Sequence, residues 1–471
     1  MNSFFFCGIG GSGMLPLAMI MKSRGFNISG SDRSNDQGRT PEKFNWLQQQ
    51  GIEIVPQDGK GLTTDFDALI VSSAVEDSIP EVKVAKEKNI PILKRAELLA
   101  RIFNESKTSI AIAGTSGKST TTGMLAWILT CAEKNPTVMN GANFLNFVSQ
   151  EAPFASAITG DKNLFVSECD ESDGSIILYH PEIAVLNNIA LDHKPVDELI
   201  PIFRQYLSQS KKQVLNLSNP AISQNFLEEF RDTALTFGIE SPHTAINITN
   251  YTPTQAGSTS ILHNSLENTV CTLTLHVPGK HNVENATSAI CAAYLCGVPI
   301  DKSVEALDSF KGVARRLENI GNINNINIID DFAHNPDKIK ATISSLKEHK
   351  GRLIIYFQMH GFGPLKLMKK ELKGAFLEGL DPNDILIMPE VLYLGGTVSK
   401  DYSAHDFINE INVGGATRNI RGEWFETREE GGDFILETAR SGDRIIIMGA
   451  RDDTLTSFAK SLLEKLKQKL S

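Results

Sequence analysis

Lys118 and Ser119 stand in GTSGKST, Gly114 to Thr120, behind the buried-strand run TSIAIAG and ahead of the helical stretch TTTGMLAWILTCAEK. Backbone N–H groups of a glycine turn at a helix N-terminus cradle phosphates. A lysine there reaches the β- and γ-phosphates of a nucleotide, and a serine hydroxyl there coordinates Mg²⁺. The spacing is shorter than G-x-x-x-x-G-K-[ST], because the residue five before Gly117 is Ile112. Two further segments end in groups suited to a Mg–ATP site: Glu168 in SECDESD and His193 in NNIALDH, each after an apolar strand. In an open parallel sheet such strand ends meet in one crevice. At least two of Asp170, Glu171 and Asp173 read as a solvated loop.

A second loop lies more than a hundred residues earlier. GIGGSG places Gly8, Gly10 and Gly13 between a strand and a helix, with Asp32 nineteen residues beyond Gly13. That is the pattern of a dinucleotide-binding turn. By itself it leaves open a nicotinamide or flavin site, a ligand-free tight turn, and another diphosphate ligand such as a nucleotide-sugar.

The elements around these loops alternate. SFFFCGI, FNISGSD, IEIVP, DALIVSSA and IPIL read as strands separated by helical patterns, which implies a parallel doubly wound sheet. The alternation begins again at TSIAIAG, and then gives way to polar Thr- and Asn-rich runs between about 240 and 277, read as antiparallel strands at a sheet edge. From Gly312 onward INIIDDFAH, GRLIIYFQMH, DILIMPE and DRIIIMGA form a third set of strands with helices between. The expected fold is therefore α/β in three domains, residues 1–107, 108–311 and 312–471. The first is a parallel doubly wound sheet, the central one carries the phosphate loop and an antiparallel addition, and the last is again a parallel α/β sheet.

Bulk properties agree with a soluble globular protein. The chain has 471 residues, 41% hydrophobic and 22% charged, which is ordinary for a globular protein too long for one core. A net charge of −10 without a basic stripe argues against nucleic acid. Six scattered cysteines without CxxC pairs point to free thiols in a reducing cytoplasm. The uncharged start FFFCGIGGSGMLPLAMIM lacks a basic leader and is broken by glycines and Pro16, so neither a signal peptide nor a membrane span is expected.

Taken together, GIGGSGM, NISGSD, VSSAVEDSIPEV, GTSGKSTTT, ECDESDGS, NNIALDH, VPGKHNVENA, GVARRLE and IIDDFAHNP, in this order, resemble the Mur ligases, the ATP-dependent amide-forming enzymes of peptidoglycan precursor synthesis. The likeness extends over nearly the whole chain and is greatest to the branch that adds L-alanine to UDP-N-acetylmuramate. It implies an N-terminal Rossmann-like domain for the UDP-sugar, a central P-loop, mononucleotide-binding ATPase domain and a C-terminal Rossmann-like domain for the amine. It also implies ATP and Mg²⁺ as cofactors, UDP-N-acetylmuramate and an amino acid or peptide as partners, no nucleic acid or membrane, and a cytoplasmic monomer or homodimer. Gly8, Gly10, Gly11, Ser12, Gly13, Met14 and Asp32 would hold the UDP-sugar. Gly114, Thr115, Ser116, Gly117, Lys118, Ser119 and Thr120 would hold ATP, with His281, Asn282 and Asn285 near the adenine and Asp331 on the ribose. Ser119, Glu168 and His193 would ligate the metal. Arg315 or Arg316 would reach the phosphates, with Lys118, Glu168, His193, Arg316 and His334 as the catalytic set. His334, Asn335 and His360 would form the amine site.

The chain departs from the family in places. Ser116 and Ser119 replace a histidine and a threonine in the phosphate loop, and Phe332 and Asn335 replace a tyrosine and a histidine. The segment usually read F-Q-P-H-R-Y-T-R is FQMHGFGP here, with Gly361 and Pro364 where arginines help hold the amino acid's carboxylate. A relative that attaches a recycled peptide to the same UDP-sugar is the nearest alternative, although Ser172 sides with the alanine branch. Two alternatives come from other classes: an NAD(P)-dependent oxidoreductase using GIGGSG, and a non-catalytic nucleotide-binding regulator.

Overall fold

The computed structural model describes residues 2–470 except 73–74, 191–194, 256, 394–399, 451 and 453. It divides into two compact units, one of Met1–Asn250, Ser260–Thr274 and His281–Val313, the other of Tyr251–Thr259, Leu275–Lys280 and Ala314–Ser471.

The first unit contains the N-terminal sheet. Its strands are β1 (Ser3–Cys7), β2 (Asn27–Ser31), β3 (Glu53–Val55), β4 (Ala68–Val71) and β5 (Ile92–Lys94). They run in the order β3-β2-β1-β4-β5, and all four pairings are parallel. Helices α1 (Met14–Ser23), α2 (Arg33–Asp36), α3 (Pro41–Gln49), α4 (Pro80–Glu87) and α5 (Arg95–Asn104) connect and follow these strands. The chain order reverses beside β1, so the crevice at the C-terminal ends of β1 and β4 falls at the first glycine loop.

The larger sheet carries β6 (Thr108–Ala113), β7 (Pro136–Met139), β8 (Ala157–Ile158), β9 (Asp161–Glu168), β10 (Ile183–Leu186), β11 (Lys212–Asn216) and β12 (Ala234–Ile239). Beyond β12 lie β13 (Ile246–Pro253), β14 (Ser258–Asn264) and β15 (Thr269–Leu275), at one end of a ten-stranded order β15-β14-β13-β12-β11-β10-β6-β9-β7-β8. The last three follow one another through connections of hairpin length. Their Thr- and Asn-rich alternation suits strands with one solvated face. The helices here are α6 (Lys118–Cys131), α7 (Val196–Ser208), α8 (Pro220–Phe226), α9 (Lys280–Leu295) and α10 (Ile300–Leu307).

One core cluster spans both sheets of this unit, from Phe4, Phe6 and Leu17 through Leu99 and Phe103 to Phe165, Tyr179 and Phe203. Phe103 of α5 is the join, edge-on to Phe165 at 5.6 Å and to Tyr179 at 5.1 Å between ring centroids. Such aromatic contacts add to the burial of large apolar area. They hold the two glycine loops in a fixed relation.

The second unit is built on β16 (Glu318–Ile323), β17 (Ile326–Asp331), β18 (Leu353–Gln358), β19 (Ile385–Pro389), β20 (Arg421–Phe425) and β21 (Arg444–Gly449), in the order β16-β17-β21-β18-β19-β20. All neighbours are parallel except the edge pair β16 and β17. Helices α11 (Pro336–Lys347), α12 (Phe362–Gly379), α13 (Ala404–Gly415), α14 (Arg428–Thr438) and α15 (Leu455–Leu470) complete it. The four apolar runs singled out from sequence are β17, β18, β19 and β21, each buried along its whole length. The flanking β16 and β20 lack that signal, because edge strands need only one covered face.

Candidate functional site

The phosphate loop is shaped by its glycines and by one asparagine. Gly114 and Gly117 adopt φ of +135° and +78°, conformations in which side chains are strained. A Cβ on Gly117 would lie 2.2 Å from Asn285 Oδ1, and one on Gly114 would lie 3.1 Å from the backbone of Asn188. Asn188 staples the loop. Its Oδ1 accepts from the Thr115 hydroxyl at 2.8 Å and from the Ser116 N–H at 3.0 Å, while its Nδ2 donates to Ser116 O at 3.0 Å. Asn188 belongs to the same NNIALDH segment as His193, the expected metal ligand. The latter lies outside the described residues.

Lys118, Ser119 and Thr120 open α6. Lys118 Nζ donates to Gly114 O at 2.8 Å and to Glu171 Oε2 at 2.8 Å, and lies 3.9 Å from Asp170 Oδ1. Burial alone would depress this ammonium, but Glu171 and Asp170 outweigh it and hold it above its usual range. Asp170 is held below the usual carboxylate range: burial opposes this, and Lys118 with the Ser172 contacts overcomes it. Of the three acidic residues read as a solvated loop, Asp170 and Asp173 are exposed, while Glu171 is 4% exposed and paired with the lysine.

The Ser119 hydroxyl donates to Glu168 Oε2 at 2.7 Å, and Glu168 Oε1 accepts from Gly141 N–H at 2.7 Å. The packing of Gly141 against this carboxylate leaves no room for a side chain, since a Cβ would sit 2.7 Å from Oε1. A hydroxyl and a carboxylate side by side are hard oxygen donors that fit Mg²⁺, which completes its shell with phosphate and water.

The first glycine loop opens on the same space. Gly8 turns with φ +76°, and the N–H groups of Gly8 and Ile9 both donate to Ser31 O. Gly13 precedes α1 without any side-chain cap, and its Cα is packed against Arg95, whose Cδ would be 3.0 Å from an added Cβ. A cavity of about 400 Å³ is lined by Gly8, Gly11, Ser12, Gly13 and Met14 from this loop, and by Lys118, Glu168 and Asp170 from the other. Arg95, Ser72, Asn140 and Gly141 also line it, and none of these four is among the site residues expected from the sequence. Asp32 is turned to the loop itself: Oδ2 accepts from Gly10 N–H at 2.9 Å and Oδ1 from Ser34 N–H at 2.8 Å.

Other expected residues have structural partners. Asn282 and Asn285 are buried on α9, and Asn285 Nδ2 donates to Asn282 Oδ1 at 3.0 Å. Their neighbour His281 is exposed.

In the second unit, Arg315 donates to Asp330 Oδ1, Gly449 O and Asp452 O. Arg316 contacts the Phe332 face, with Cζ 5.4 Å from the ring centroid. Asp331 accepts from Leu317 N–H, Ala333 N–H and the Thr342 hydroxyl. Asn335 caps α11 by accepting from Lys338 N–H at 2.9 Å. His334 Nδ1 donates to Phe332 O at 2.8 Å, which assigns a proton to that nitrogen. Its ring is 5.9 Å from that of His360.

Three models of known domains match the chain in succession: the Mur ligase family catalytic domain over residues 4–107, the Mur ligase middle domain over 112–293, and the Mur ligase glutamate ligase domain over 315–451. The UDP-N-acetylmuramate–L-alanine ligase of Lachnospira eligens is 32% identical over 458 residues, covering 95% of each chain. The enzyme of the same name from Agathobacter rectalis is 30% identical, covering 98% of this chain and 97% of its own. Among solved structures, a UDP-N-acetylmuramate–alanine ligase from Thermotoga maritima superposes with a TM-score of 0.76 at 24% identity, and a murein peptide ligase from Psychrobacter arcticus with 0.66 at 22%. Each covers 99% of both chains, and these two likenesses concern the fold. With a phosphate loop, a second glycine loop and three matched domains in family order, the chain belongs to the Mur ligase family.

Proposed function

We propose that this Mur ligase joins L-alanine to the carboxylate of UDP-N-acetylmuramate, consuming ATP and releasing ADP and phosphate. The observation that carries this reading is the cavity shared by the two glycine loops, where a diphosphate handle and a triphosphate donor would lie within reach of each other. Relatives 30–32% identical over nearly their whole length bear the corresponding name.

A carboxylate is a poor electrophile, so the muramyl carboxylate first attacks the γ-phosphorus of ATP, giving an acyl phosphate and ADP. The amine then attacks the acyl carbon through a tetrahedral intermediate, and phosphate leaves as the amide forms. Lys118 would move from Glu171 to the phosphates and neutralise charge that grows during transfer. Gly114, Thr115, Ser116, Gly117 and Thr120 would shape the phosphate cradle. Ser119 and Glu168, with His193, would hold Mg²⁺, which supplies electrostatic stabilisation of the transferring phosphoryl group when bound. Gly8 to Met14 would take the UDP diphosphate at the uncapped start of α1, with Asp32 holding the loop in shape.

Arg316 would reach the phosphates in preference to Arg315, whose guanidinium donates to Asp330, Gly449 and Asp452. His281, Asn282 and Asn285 would border the adenine side, and Asp331 would order the β17 end. His334 and His360 would receive the amine, with His334 Nε2 accepting its proton. Residues 1–107, 108–311 and 312–471 would serve as the UDP-sugar, ATP and amine domains of a cytoplasmic enzyme.

The test is ADP release measured with UDP-N-acetylmuramate and a panel of amino acids and muropeptides. Turnover must require both the UDP-sugar and L-alanine. Lys118→Ala should lower it about 10²–10³-fold, the cost typical of removing one preorganised charge-stabilising group. No ADP with any amine would sink the reading, and turnover only with a peptide would reassign the substrate.

A further inference from the structure

The second unit contains a cation that no carboxylate neutralises among the described residues. Lys400 Nζ lies 4.3 Å from the ring centroid of Tyr393 and 5.7 Å from that of Phe362, whose rings are 5.9 Å apart. The next residue, Asp401, pairs with Lys366 of α12 at 2.7 Å, a half-exposed ion pair. Lys366 is therefore spent on holding the chain, while Lys400 is left over the aromatic pair. The segment before Tyr393 is held as well, since Gly361 N–H donates to Leu392 O and Leu392 N–H to Met359 O, both at 2.9 Å.

These groups lie just beyond the C-terminal ends of β18 and β19, where open parallel sheets take ligands. His360 is next to Gly361 in the chain, and its ring faces that of His334 beyond β17. A free amino acid is a zwitterion. Lys400 repels its ammonium end and attracts its carboxylate end, and the two rings flank one side of an ammonium that is otherwise exposed to solvent.

We propose that Lys400 anchors the α-carboxylate of the incoming amino acid, leaving the amine to the histidine pair. The substrate class is thus a small amino acid with a free α-carboxylate. Lysine is a point charge without the fork of a guanidinium, so Tyr393, Phe362 and the histidines set the orientation. This rests on the ligase reading above.

The experiment compares L-alanine with L-alaninamide as amine, at saturating ATP and UDP-N-acetylmuramate, in the wild type, Lys400→Met and Lys400→Arg. Lys400→Met should raise KM for L-alanine about tenfold or more, the value of a charge-assisted contact, with kcat changed less than about threefold. Alaninamide turnover should be indifferent to the substitution, which also shows that the variant is folded, and Lys400→Arg should recover most of the affinity. An unchanged KM for L-alanine, an equal loss with alaninamide, or a fall in kcat alone overturns the proposal while the ligase reading stands. Wild-type preference for an amine without a carboxylate overturns it too. Wild-type silence with every amine sinks both.

Discussion

Lys118 touches more of the proposed chemistry than any other residue, and its surroundings set a pH dependence. Its folded-state ammonium is held above the ordinary range, so the stability it contributes is complete below about pH 10.4 and is lost as pH rises through the folded value. Asp170 is held low, so its contribution is present above about pH 3.9 and is lost as pH falls through the folded value. Between roughly pH 5 and 9 both are in place. The stability difference between the wild type and Lys118→Ala, from urea melts across pH, should be flat in that window and shrink toward both extremes. A difference that slopes through neutrality would mean that some other group governs the pair. Two buried cysteines are inert: burial pushes the Cys7 thiol up to about 11 and the Cys169 thiol well above its usual value, so neither is a nucleophile at neutral pH.

At the scale of elements, the phosphate loop depends on α9 as much as on β6 and α6. The Asn285 side chain occupies the space that a Cβ on Gly117 would need, and Gly117 is in a left-handed conformation besides. Gly117→Ala must therefore shift either the loop or α9. The first loop does not share this constraint. The variant should lose most of the thermal stabilisation given by Mg–ATP and keep that given by UDP, as read by melting with each ligand alone. A bound ligand at a hundred times its Kd adds about 2.7 kcal/mol, so the loss is measurable. Equal loss of both responses would show that the two loops are not independently built.

At the scale of the molecule, the first unit is what makes two nucleotide sites into one cavity. The core running through α5 from one sheet to the other brings Gly13 and Lys118 to a common wall. Calorimetric titration should find UDP and Mg–ATP binding together, one of each per chain, with neither displacing the other. Mutual displacement would reduce the cavity to a single nucleotide site. The net charge of −10 makes the local cations matter, since both ligands are anionic. Lys118, Arg95 and the start of α1, which no side chain caps, supply that local field.

Much of this protein is written in short-range sequence. Strand, glycine turn and helix in GTSGKST and GIGGSG follow from local geometry, because only glycine tolerates the turns and an N-terminus presents its N–H groups wherever the helix starts. Buried parallel strands such as LIIYFQ and RIIIMG announce themselves as apolar runs, since both faces are covered. Other features required the fold. Edge strands β16 and β20, with only one covered face, carry no such signal. Nothing in the sequence told Glu171 from its neighbours as the partner of Lys118, assigned Asn188 to staple the loop, or put Arg95 beside Gly13. Nor could spacing distinguish Arg315, tied into its own unit, from Arg316, or Lys366, paired with Asp401, from Lys400. The reason is physical: a residue's type and local spacing fix what its side chain can do, but only the packing of segments far apart in the chain decides which partner it meets.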